Sequence, residues 1–492
     1  MPRLLLVLAS LLLATACSLR VPAQGAEPPP PVAREFRGAW IATVDNIDYP
    51  SQPGLPAAQL RAEFDALVAR AVELKLNALV FQVRPAADAF YKSSLEPWSE
   101  WLTGTQGKAP DGGFDPLAYA IERCHANGLQ LHAWFNPFRA WHEAGKSVPH
   151  ASHVTQKAPR LCVPYGKFSW MDPGEPLAVK WSLATVQDVV QRYDVDGVHL
   201  DDYFYPYPQG KLTFADDGSY GRYRADGGTL PRSAWRRQNV DDYVRRLYAL
   251  VHEAKPWVAV GISPFGIARP GLPKGISAGI DQYEQLGADP VRWLRDGVVD
   301  YLSPQLYWPI DEREHAFDVL LAWWNAQNPL GRGLWPGISA VRALAGQKNF
   351  RATELADEIA LIRGGSRAPG YLLYSFKALR PDAPNVGGAL RDRIQREAAA
   401  VPAMAWLSAA TPRAPTLRID AVGAERSVRW ETDAEARFVV VQAQTGERWR
   451  TCAIVGAERR QAPLPAGTRA VAVTALGKSG AASAAATAAV PK

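Results

Sequence analysis

Two adjacent carboxylates at the end of an apolar run are the residues of this sequence best suited to acid–base chemistry. Residues 195–206 read VDGVHLDDYFYP, so a strand-like pattern ends in Asp201 and Asp202 and continues into aromatic side chains. Cleavage of a glycosidic bond needs one carboxyl group that protonates the leaving oxygen. It also needs an anionic group, or a water that this group activates, facing the cation-like sugar. We therefore predict Asp201 as nucleophile, base or stabiliser of the sugar cation. The alternative is a structural pair that caps the next loop.

The proton donor has several candidates in the sequence. Asp202 and Asp88 rank first, because each follows soon after a predicted strand. Asp45, Asp48 and Glu284 rank behind them, and a role in a turn is equally compatible with Asp45 and Asp48. The separation between carboxyl groups distinguishes retaining from inverting enzymes, and it depends on the folded geometry rather than on the sequence.

His199 is predicted to orient Asp201 rather than to act on substrate. Alternate residues of a β-strand share one face, so His199, Asp201 and Tyr203 point the same way. A His-x-Asp pattern could also hold a divalent ion and support a metal-dependent deacetylase or esterase. No second histidine cluster completes such a site, so we predict neither a metal nor a cofactor.

Polar and aromatic side chains follow other predicted strands and form the predicted substrate site. Amide, guanidinium, phenol and indole groups suit sugar hydroxyls and ring faces, and 17 Trp in the chain point the same way. Any one of them alone more often packs than binds, but a shared position at one edge favours a common function. The predicted substrate-binding residues are Gln82, Arg84, Tyr91, Trp134, Asn136, Tyr203, Gln305, Tyr307 and Trp308, and Arg139 lies beside them at the end of the third strand.

Eight strand–helix units must position these side chains. Strand patterns cover residues 38–44, 78–84, 130–136, 197–201, 258–263, 301–307, 334–339 and 371–376, with helical patterns such as 57–74, 116–127, 175–193 and 239–254 between them. This alternation predicts an α/β fold, a (β/α)₈ TIM barrel over residues 34–400, whose functional groups collect at the carboxyl ends of the strands. A doubly wound sheet is less compatible, because no Gly-rich phosphate loop is present.

The two ends of the chain differ from the barrel in composition. Residues 412–492 contain short alternating runs that resemble a fibronectin type III module, a β-sandwich, to which we assign binding or spacing. Residues 1–16 read as a signal peptide, and Cys17 directly after them resembles the lipidated cysteine of a bacterial lipoprotein. Residues 17–33 are Pro-rich and predict an extended tether. A net charge of +6 without any Lys/Arg run argues against nucleic acid as a partner.

Six motifs in order resemble the glycosyl-hydrolase-like 10 family. They are residues 37–44, 46–51, 172–174, 196–206, 235–240 and 303–308, and the resemblance covers roughly residues 34–400. It implies a barrel glycosidase of the bacterial envelope, similar to a division-associated lipoprotein that acts on peptidoglycan strands without stem peptides. The expected partners are therefore glycan strands, division or envelope proteins, and a membrane reached through Cys17. With Ser18 after the cysteine, the expected location is the periplasmic face of an outer membrane.

A second resemblance bears on mechanism. Residues 196–201 are similar to the fourth strand of family 18 chitinases, in which a Glu two residues beyond the last Asp acts as the acid. This chain has Tyr203 at that position, so the chitinase mechanism does not transfer directly. Within the hydrolase hypothesis, Arg84 is a candidate for contact with the carboxylate of muramic acid. A noncatalytic glycan-binding scaffold is the rival hypothesis.

Overall fold

The computed structural model describes residues 28–344, 350–366, 368–383, 386–422 and 425–491. The predicted signal peptide, Cys17 and the first part of the predicted tether lie outside these residues. In the described part of the chain, no helix combines the length and apolarity that crossing a membrane requires.

Residues up to 374 contain twelve of the described strands, nine of which form one parallel sheet. The order of that sheet is β10-β9-β8-β7-β3-β2-β1-β12-β11. The other three strands, β4 to β6, form a small antiparallel sheet inserted after β3. The strands are β1 (Phe36–Ile41), β2 (Ala78–Arg84), β3 (Gln130–Phe135), β4 (Arg139–Trp141), β5 (Cys162–Tyr165), β6 (Phe168–Met171), β7 (Gly197–Leu200), β8 (Ala259–Ile262), β9 (Tyr301–Leu302), β10 (Gly333–Leu334), β11 (Gly337–Ser339) and β12 (Gly370–Tyr374).

The sheet closes on itself as a barrel. Its two outermost strands, β10 and β11, are consecutive in the chain and are separated only by Trp335 and Pro336. They occupy the predicted strand 334–339, which is divided where Pro336 lacks an N–H for the ladder. β10 pairs with β9 and β11 pairs with β12, while a bridge between Gln305 and Gly337 joins the same edges. The nine segments therefore fill the eight strand positions of the predicted TIM barrel.

Helices surround the barrel and connect its strands. The predicted helix 57–74 is α1, and the predicted helix 239–254 begins earlier than expected, at Arg232. The described helices are α1 (Ala57–Glu73), α2 (Glu100–Thr103), α3 (Pro116–Ala126), α4 (Val154–Lys157), α5 (Pro176–Arg192), α6 (Asp217–Ala225), α7 (Arg232–Ala254), α8 (Gln282–Gln285), α9 (Pro290–Asp296), α10 (Phe317–Ala326), α11 (Ala340–Leu344), α12 (Glu354–Gly365) and α13 (Val386–Ala389).

Alternate side chains of the barrel strands point outward and inward, and they form two separate apolar layers. On β2, Leu79, Phe81 and Val83 belong to the large cluster that includes the helices, as predicted. Val80, on the opposite face, belongs to a smaller cluster inside the barrel. Residues after the last barrel helix, among them Met404, complete this inner cluster.

The sixth predicted strand, residues 301–307, is much shorter than expected. Only Tyr301 and Leu302 form regular ladder pairs, and beyond them isolated bridges join Gln305 to Phe265 and to Gly337. Pro304 has no N–H to donate, so the regular ladder ends before it. This irregular stretch leaves Gln305 and Tyr307 partly exposed at the barrel mouth.

The C-terminal unit is a β-sandwich of a three-stranded and a four-stranded antiparallel sheet. The sheet orders are β13-β14-β17 and β16-β15-β18-β19. Val428, Trp430 and Val439 pack between them. Assignment to the fibronectin type III class stays a prediction. The strands are β13 (Thr416–Val422), β14 (Glu425–Glu431), β15 (Ala436–Thr445), β16 (Arg448–Gly456), β17 (Gln461–Pro463), β18 (Thr468–Gly477) and β19 (Ala486–Ala489).

The sandwich docks on the amino-terminal end of the barrel strands, opposite the mouth. Arg437 makes two hydrogen bonds of 2.6 and 2.7 Å to Asp194, which precedes β7. Trp406, in the connecting segment, donates to Asp300 Oδ1 at 2.8 Å, just before β9. The two units are therefore joined at the amino-terminal face of the barrel. In TIM barrels this face serves stability, and functional groups collect at the opposite face.

Part of the predicted tether takes part in this junction. Gln442 Nε2 donates to the Pro30 carbonyl at 3.0 Å, and Val32 packs against Phe438 and Val440. Residues 28–33 therefore lie docked on the sandwich rather than extending as a free linker.

Candidate active site

Asp201 and Asp202 lie at the mouth of the barrel, immediately after β7. Both are buried, with exposed fractions of 3% each. Residues at the carboxyl ends of β2, β3 and β12 surround them, and the inserted sheet of β4 to β6 forms one side of the mouth. The structure thus brings the predicted pair into the position where barrel enzymes carry their functional groups.

A chain of hydrogen bonds fixes Asp201. The backbone N–H groups of Thr43 and Val44 donate to Gln82 Oε1 at 2.8 and 2.9 Å. Gln82 Nε2 must therefore be the group that donates to Asn136 Oδ1, at 2.6 Å. Asn136 Nδ2 in turn donates to Asp201 Oδ2. Because the chain starts at backbone donors, neither amide can reverse, and Asp201 Oδ2 always faces a donor.

Asp202 has a different kind of partner. The Tyr207 hydroxyl donates to Asp202 Oδ2, and the Gln305 amide acts on the same carboxyl group to lower its pKa. A hydroxyl can donate or accept, so Tyr207 can satisfy Asp202 whether the carboxyl is ionised or protonated. Asp201 is therefore bonded to a group that can only donate, whereas Asp202 is bonded to a hydroxyl that can donate or accept.

Burial raises the pKa values of both carboxyl groups. The pKa of Asp201 rises to about 7, with Arg139 opposing the rise and the charge of Asp202 adding to it. The pKa of Asp202 rises to about 6, against the hydrogen bond from Tyr207. Interacting groups titrate with values that belong to the pair, so the pair changes its protonation near neutral pH. This is the range in which one group can hold a proton while the other is ionised.

His199 lies below Asp201 inside the barrel, as predicted from strand alternation. Trp40 Nε1 can only donate, and it lies 3.1 Å from His199 Nε2, so the ring proton is on Nδ1. Nδ1 then donates to the Tyr301 hydroxyl at 2.9 Å, which donates to His132 Nδ1 at 2.8 Å. Burial keeps the pKa of His199 well below its usual value. His199 is therefore neutral and supports the layer beneath the carboxyl groups.

This arrangement leaves no nitrogen of His199 for a metal. Both ring nitrogens are engaged, Nε2 by Trp40 and Ser263 and Nδ1 by Tyr301. Within the ranges that the structure describes, no group of three His, Cys, Asp or Glu residues is arranged to hold an ion.

Several predicted substrate-binding residues line the mouth. Tyr203 is partly exposed and lies under the Arg139 guanidinium, 5.3 Å from ring centre to Cζ. Trp134 is nearly buried, and its indole N–H acts on Asp201 without a regular hydrogen bond to any described residue. Tyr307 is partly exposed and stacks on Tyr374 with ring centres 5.7 Å apart. Tyr203 and Tyr307 therefore keep part of their rings open to a sugar beside the carboxyl pair, whereas Trp134 packs in the inner cluster of the barrel.

Two further predicted substrate-binding residues, Gln305 and Trp308, lie near the carboxyl pair, and each already contacts another residue of the protein. Gln305 is partly exposed and donates to the Ser263 carbonyl at 3.0 Å. Trp308 is also partly exposed, but one face stacks on His315 at 5.0 Å between ring centres. Gln82 and Asn136 are fully buried, so the structure places them as positioning residues behind Asp201.

Arg84 and Tyr91 lie away from the mouth. Arg84 has no exposed surface, and its guanidinium pairs with Glu96 through bonds of 2.8 and 2.6 Å. Its remaining nitrogen donates to the Asn136 carbonyl at 2.5 Å, so nothing is left for a ligand. Tyr91 is fully buried and packs edge-on against Tyr193. We do not include either residue among the proposed substrate contacts.

The remaining acidic candidates are also apart from the pair. Asp88 is buried and accepts from the Ala86 N–H at 3.1 Å, and burial raises its pKa to about 7. Asp48 bonds to Ser375 and joins the ends of β1 and β12. The structure brings neither into contact with Asp201 or Asp202 among the described residues. Asp45 is exposed beyond β1, and Glu284 lies near Arg269 at 3.6 Å.

The sequence analysis assigned no role to Tyr207 or Tyr374, although both belong to the mouth. Tyr207 lies in the aromatic run 203–207, and its bond to Asp202 depends on the path of the loop after β7. Tyr374 ends β12, where alternation along the strand could have found it. Arg139 was noted only as a neighbour, and its charge proves to act on both carboxyl groups.

Comparison with known proteins agrees with the predicted family. The chain belongs to the family described as Glycosyl hydrolase-like 10, which matches residues 35–350. It is 36% identical over 397 residues to glycosyl hydrolase YngK of Bacillus subtilis (strain 168), covering 78% of this chain and 76% of that protein. It is 31% identical over 345 residues to glycosyl hydrolase DigH of Escherichia coli (strain K12), covering 65% and 77%. Among solved structures, the PgaB (BpsB) glycoside hydrolase domain from Bordetella bronchiseptica matches with a TM-score of 0.47 and 15% identity, covering 74% of this chain and 99% of that one.

Proposed function

We propose that this protein is a glycoside hydrolase that cleaves amino-sugar glycan strands of the bacterial cell wall, those of peptidoglycan without stem peptides. The observation that carries the proposal is the buried Asp201–Asp202 pair at the barrel mouth, whose pKa values lie near neutrality. Membership of a glycosyl-hydrolase-like family and relatives named glycosyl hydrolases support the reaction class.

The hydrogen bonds support a division of roles within the pair. Asp201 Oδ2 faces an amide donor that cannot reverse, and this bond favours the ionised form against the burial that raises the pKa of Asp201 to about 7. Asp201 is therefore the carboxylate that stabilises or attacks the sugar centre, or activates a water there. Asp202 faces a hydroxyl that accepts either protonation state, and it is the proton donor to the leaving oxygen.

The substrate and location are part of the same proposal. Partly exposed aromatic rings at Tyr203 and Tyr307 suit sugar rings beside the cleaved bond. The resemblance of residues 1–17 to a lipoprotein signal would place the enzyme on the cell envelope, anchored through Cys17. Such an anchor would hold the barrel near the wall, where its glycan partner and envelope or division proteins are found.

The test is the release of new reducing ends from purified glycan strands freed of stem peptides. We expect Asp201→Asn and Asp202→Asn to lose at least about a hundredfold in rate, as expected when an acid–base group is removed. Asp226→Asn is the matched control, because Asp226 is exposed beyond α6 and far from the pair. Thermal unfolding of all variants shows whether the barrel is intact. Full activity of Asp201→Asn would refute the assignment.

Product analysis separates the proposal from its rivals. Mass spectrometry of the fragments identifies the bond that is cleaved, and chelator treatment should leave the rate unchanged. A substrate with a good leaving group should restore much of the rate to Asp202→Asn but not to Asp201→Asn, because only the proton donor becomes dispensable. Glycan binding without any new ends, even at high protein concentration, would instead identify a noncatalytic scaffold.

A further inference from the structure

Arg139 is a nearly buried cation with unused donors at the barrel mouth. Its side chain is 4% exposed, and Nε donates to the Pro85 carbonyl at 2.9 Å. The two terminal nitrogens, Nη1 and Nη2, have no hydrogen-bond or ion-pair partner in the described part of the chain. They are also not sealed from solvent, because neither is among the fully buried polar atoms that lack a partner.

The position of this guanidinium is fixed from two sides. The bond from Nε to Pro85 holds one edge, and the Tyr203 ring lies under the plane at 5.3 Å. The charge acts on Asp201 and Asp202, yet no ion pair joins Arg139 to either carboxyl in the described residues. Arg84 shows the contrast, since its guanidinium is fully paired with Glu96. Arg139 is thus held beside the reacting pair with its fork of donors open.

We infer that Arg139 and Tyr203 form a subsite for a sugar that carries a free carboxylate. An arginine fork matches a carboxylate in shape and charge, whereas neutral hydroxyl groups need no buried cation. The inference rests on the proposed function and narrows its substrate to muramic acid units whose carboxylate is free. A stem peptide converts that carboxylate to an amide and removes the charge that Arg139 would bind. The role that the sequence analysis gave to Arg84 therefore falls to Arg139.

The test compares peptide-free glycan oligosaccharides with the same oligosaccharides after amidation of their carboxylates. We expect the wild-type protein to favour the carboxylate form at least about tenfold in kcat/KM, as a charge-assisted bidentate contact implies. Arg139→Gln should bring this ratio close to one. Arg139→Lys keeps the charge that acts on Asp201 and Asp202 but loses the fork, so its ratio should fall between the two. An unchanged ratio in Arg139→Gln, or a wild-type ratio of one, would overturn the inference.

The control is Arg160→Gln. Arg160 is exposed in the segment between β4 and β5 and has no hydrogen bond or ion pair with the described residues, so the wild-type ratio should persist.

Binding measurements separate this inference from the proposed function. Calorimetry on Asp201→Asn, with and without Arg139→Gln, gives affinities for the carboxylate and amidated oligosaccharides without turnover. A preference that disappears with Arg139→Gln supports the subsite even if the wild-type protein cleaves nothing, which would refute only the hydrolase. Cleavage of both forms at equal rates would refute only the subsite. Failure of every form to bind would overturn the subsite as well.

Discussion

Substitution of Asn136 by alanine should lower the rate relative to wild type most at acid and neutral pH, and least at alkaline pH. The change removes the amide that donates to Asp201 Oδ2. A hydrogen bond to a charged group contributes about 1.5–3 kcal/mol, and each pKa unit corresponds to about 1.36 kcal/mol. The pKa of Asp201, about 7 in the intact site, should therefore rise by about 1–2 units.

The sign of the effect on rate follows from the role of Asp201. Its ionised form is the active one, so a higher pKa lowers the active fraction at pH 7 and leaves it intact at higher pH. The fraction falls from about one half to between about 9% and 1%, which predicts a loss of about 5- to 50-fold in kcat/KM at pH 7. Above about pH 9, most of this loss should be recovered.

The assay is kcat/KM for glycan cleavage between pH 5 and pH 10, compared with the control Asn325→Ala. Asn325 lies on α10, outside the barrel mouth, and it tests for general effects of removing an amide. A loss of equal size at every pH would mean that Asn136 contributes packing rather than control of Asp201. A ratio of variant to wild-type kcat/KM that falls as the pH rises would refute the proposed role of Asn136.

Two further predictions concern stability. The folded-state pKa of Asp201, about 7, lies above the unfolded value of 3.8, so ionising it costs stability as pH rises from about 4 to about 7. Asp201→Asn should therefore be more stable than wild type by about 1–4 kcal/mol at pH 8, with the gain vanishing near pH 4 in urea denaturation. Gly128→Ala should loosen the sandwich, because a Cβ there would lie 2.2 Å from the Ile454 carbonyl oxygen. Faster proteolysis of residues 401–412 would show this, and Gly112→Ala, which has a similar positive φ but open space, should not change it.

Much of the barrel could be predicted because its signals are local. Alternation along β2 and β7 identified which side chains face the interior, and it placed Gln82, His199 and Asp201 there correctly. The sixth strand was predicted too long, since its apolar residues continue beyond Pro304 although the ladder does not. The docking of residues 28–33 on the sandwich depends on contacts between distant parts of the chain, which no local pattern records.

Arg84 and Arg139 show why site residues were harder to predict. Arg84 is the last residue of β2, and Arg139 comes shortly after the end of β3 as the first residue of β4. By sequence, both therefore lie where side chains can reach the barrel mouth. The difference is made by Glu96, which comes from a loop and takes up the Arg84 guanidinium. Sequence identifies a residue that can bind a carboxylate, but the folded chain determines whether an internal carboxylate already occupies it.

The two ends of β7 show how one strand supports both stability and chemistry. Asp196 precedes the strand, and although it is buried, the nearby charges of His125 and Arg437 lower its pKa below the usual value. It is thus a stable anion that helps to fix the sandwich to the barrel.

Asp201 follows the same strand and is equally enclosed, but its main partner is a neutral amide and Arg139 makes no direct ion pair with it. Burial then dominates and brings its pKa to about 7. A direct ion pair at Asp201 would give a group as inert as Asp196, so the open fork of Arg139 preserves the reactivity of the pair as well as room for an anionic substrate.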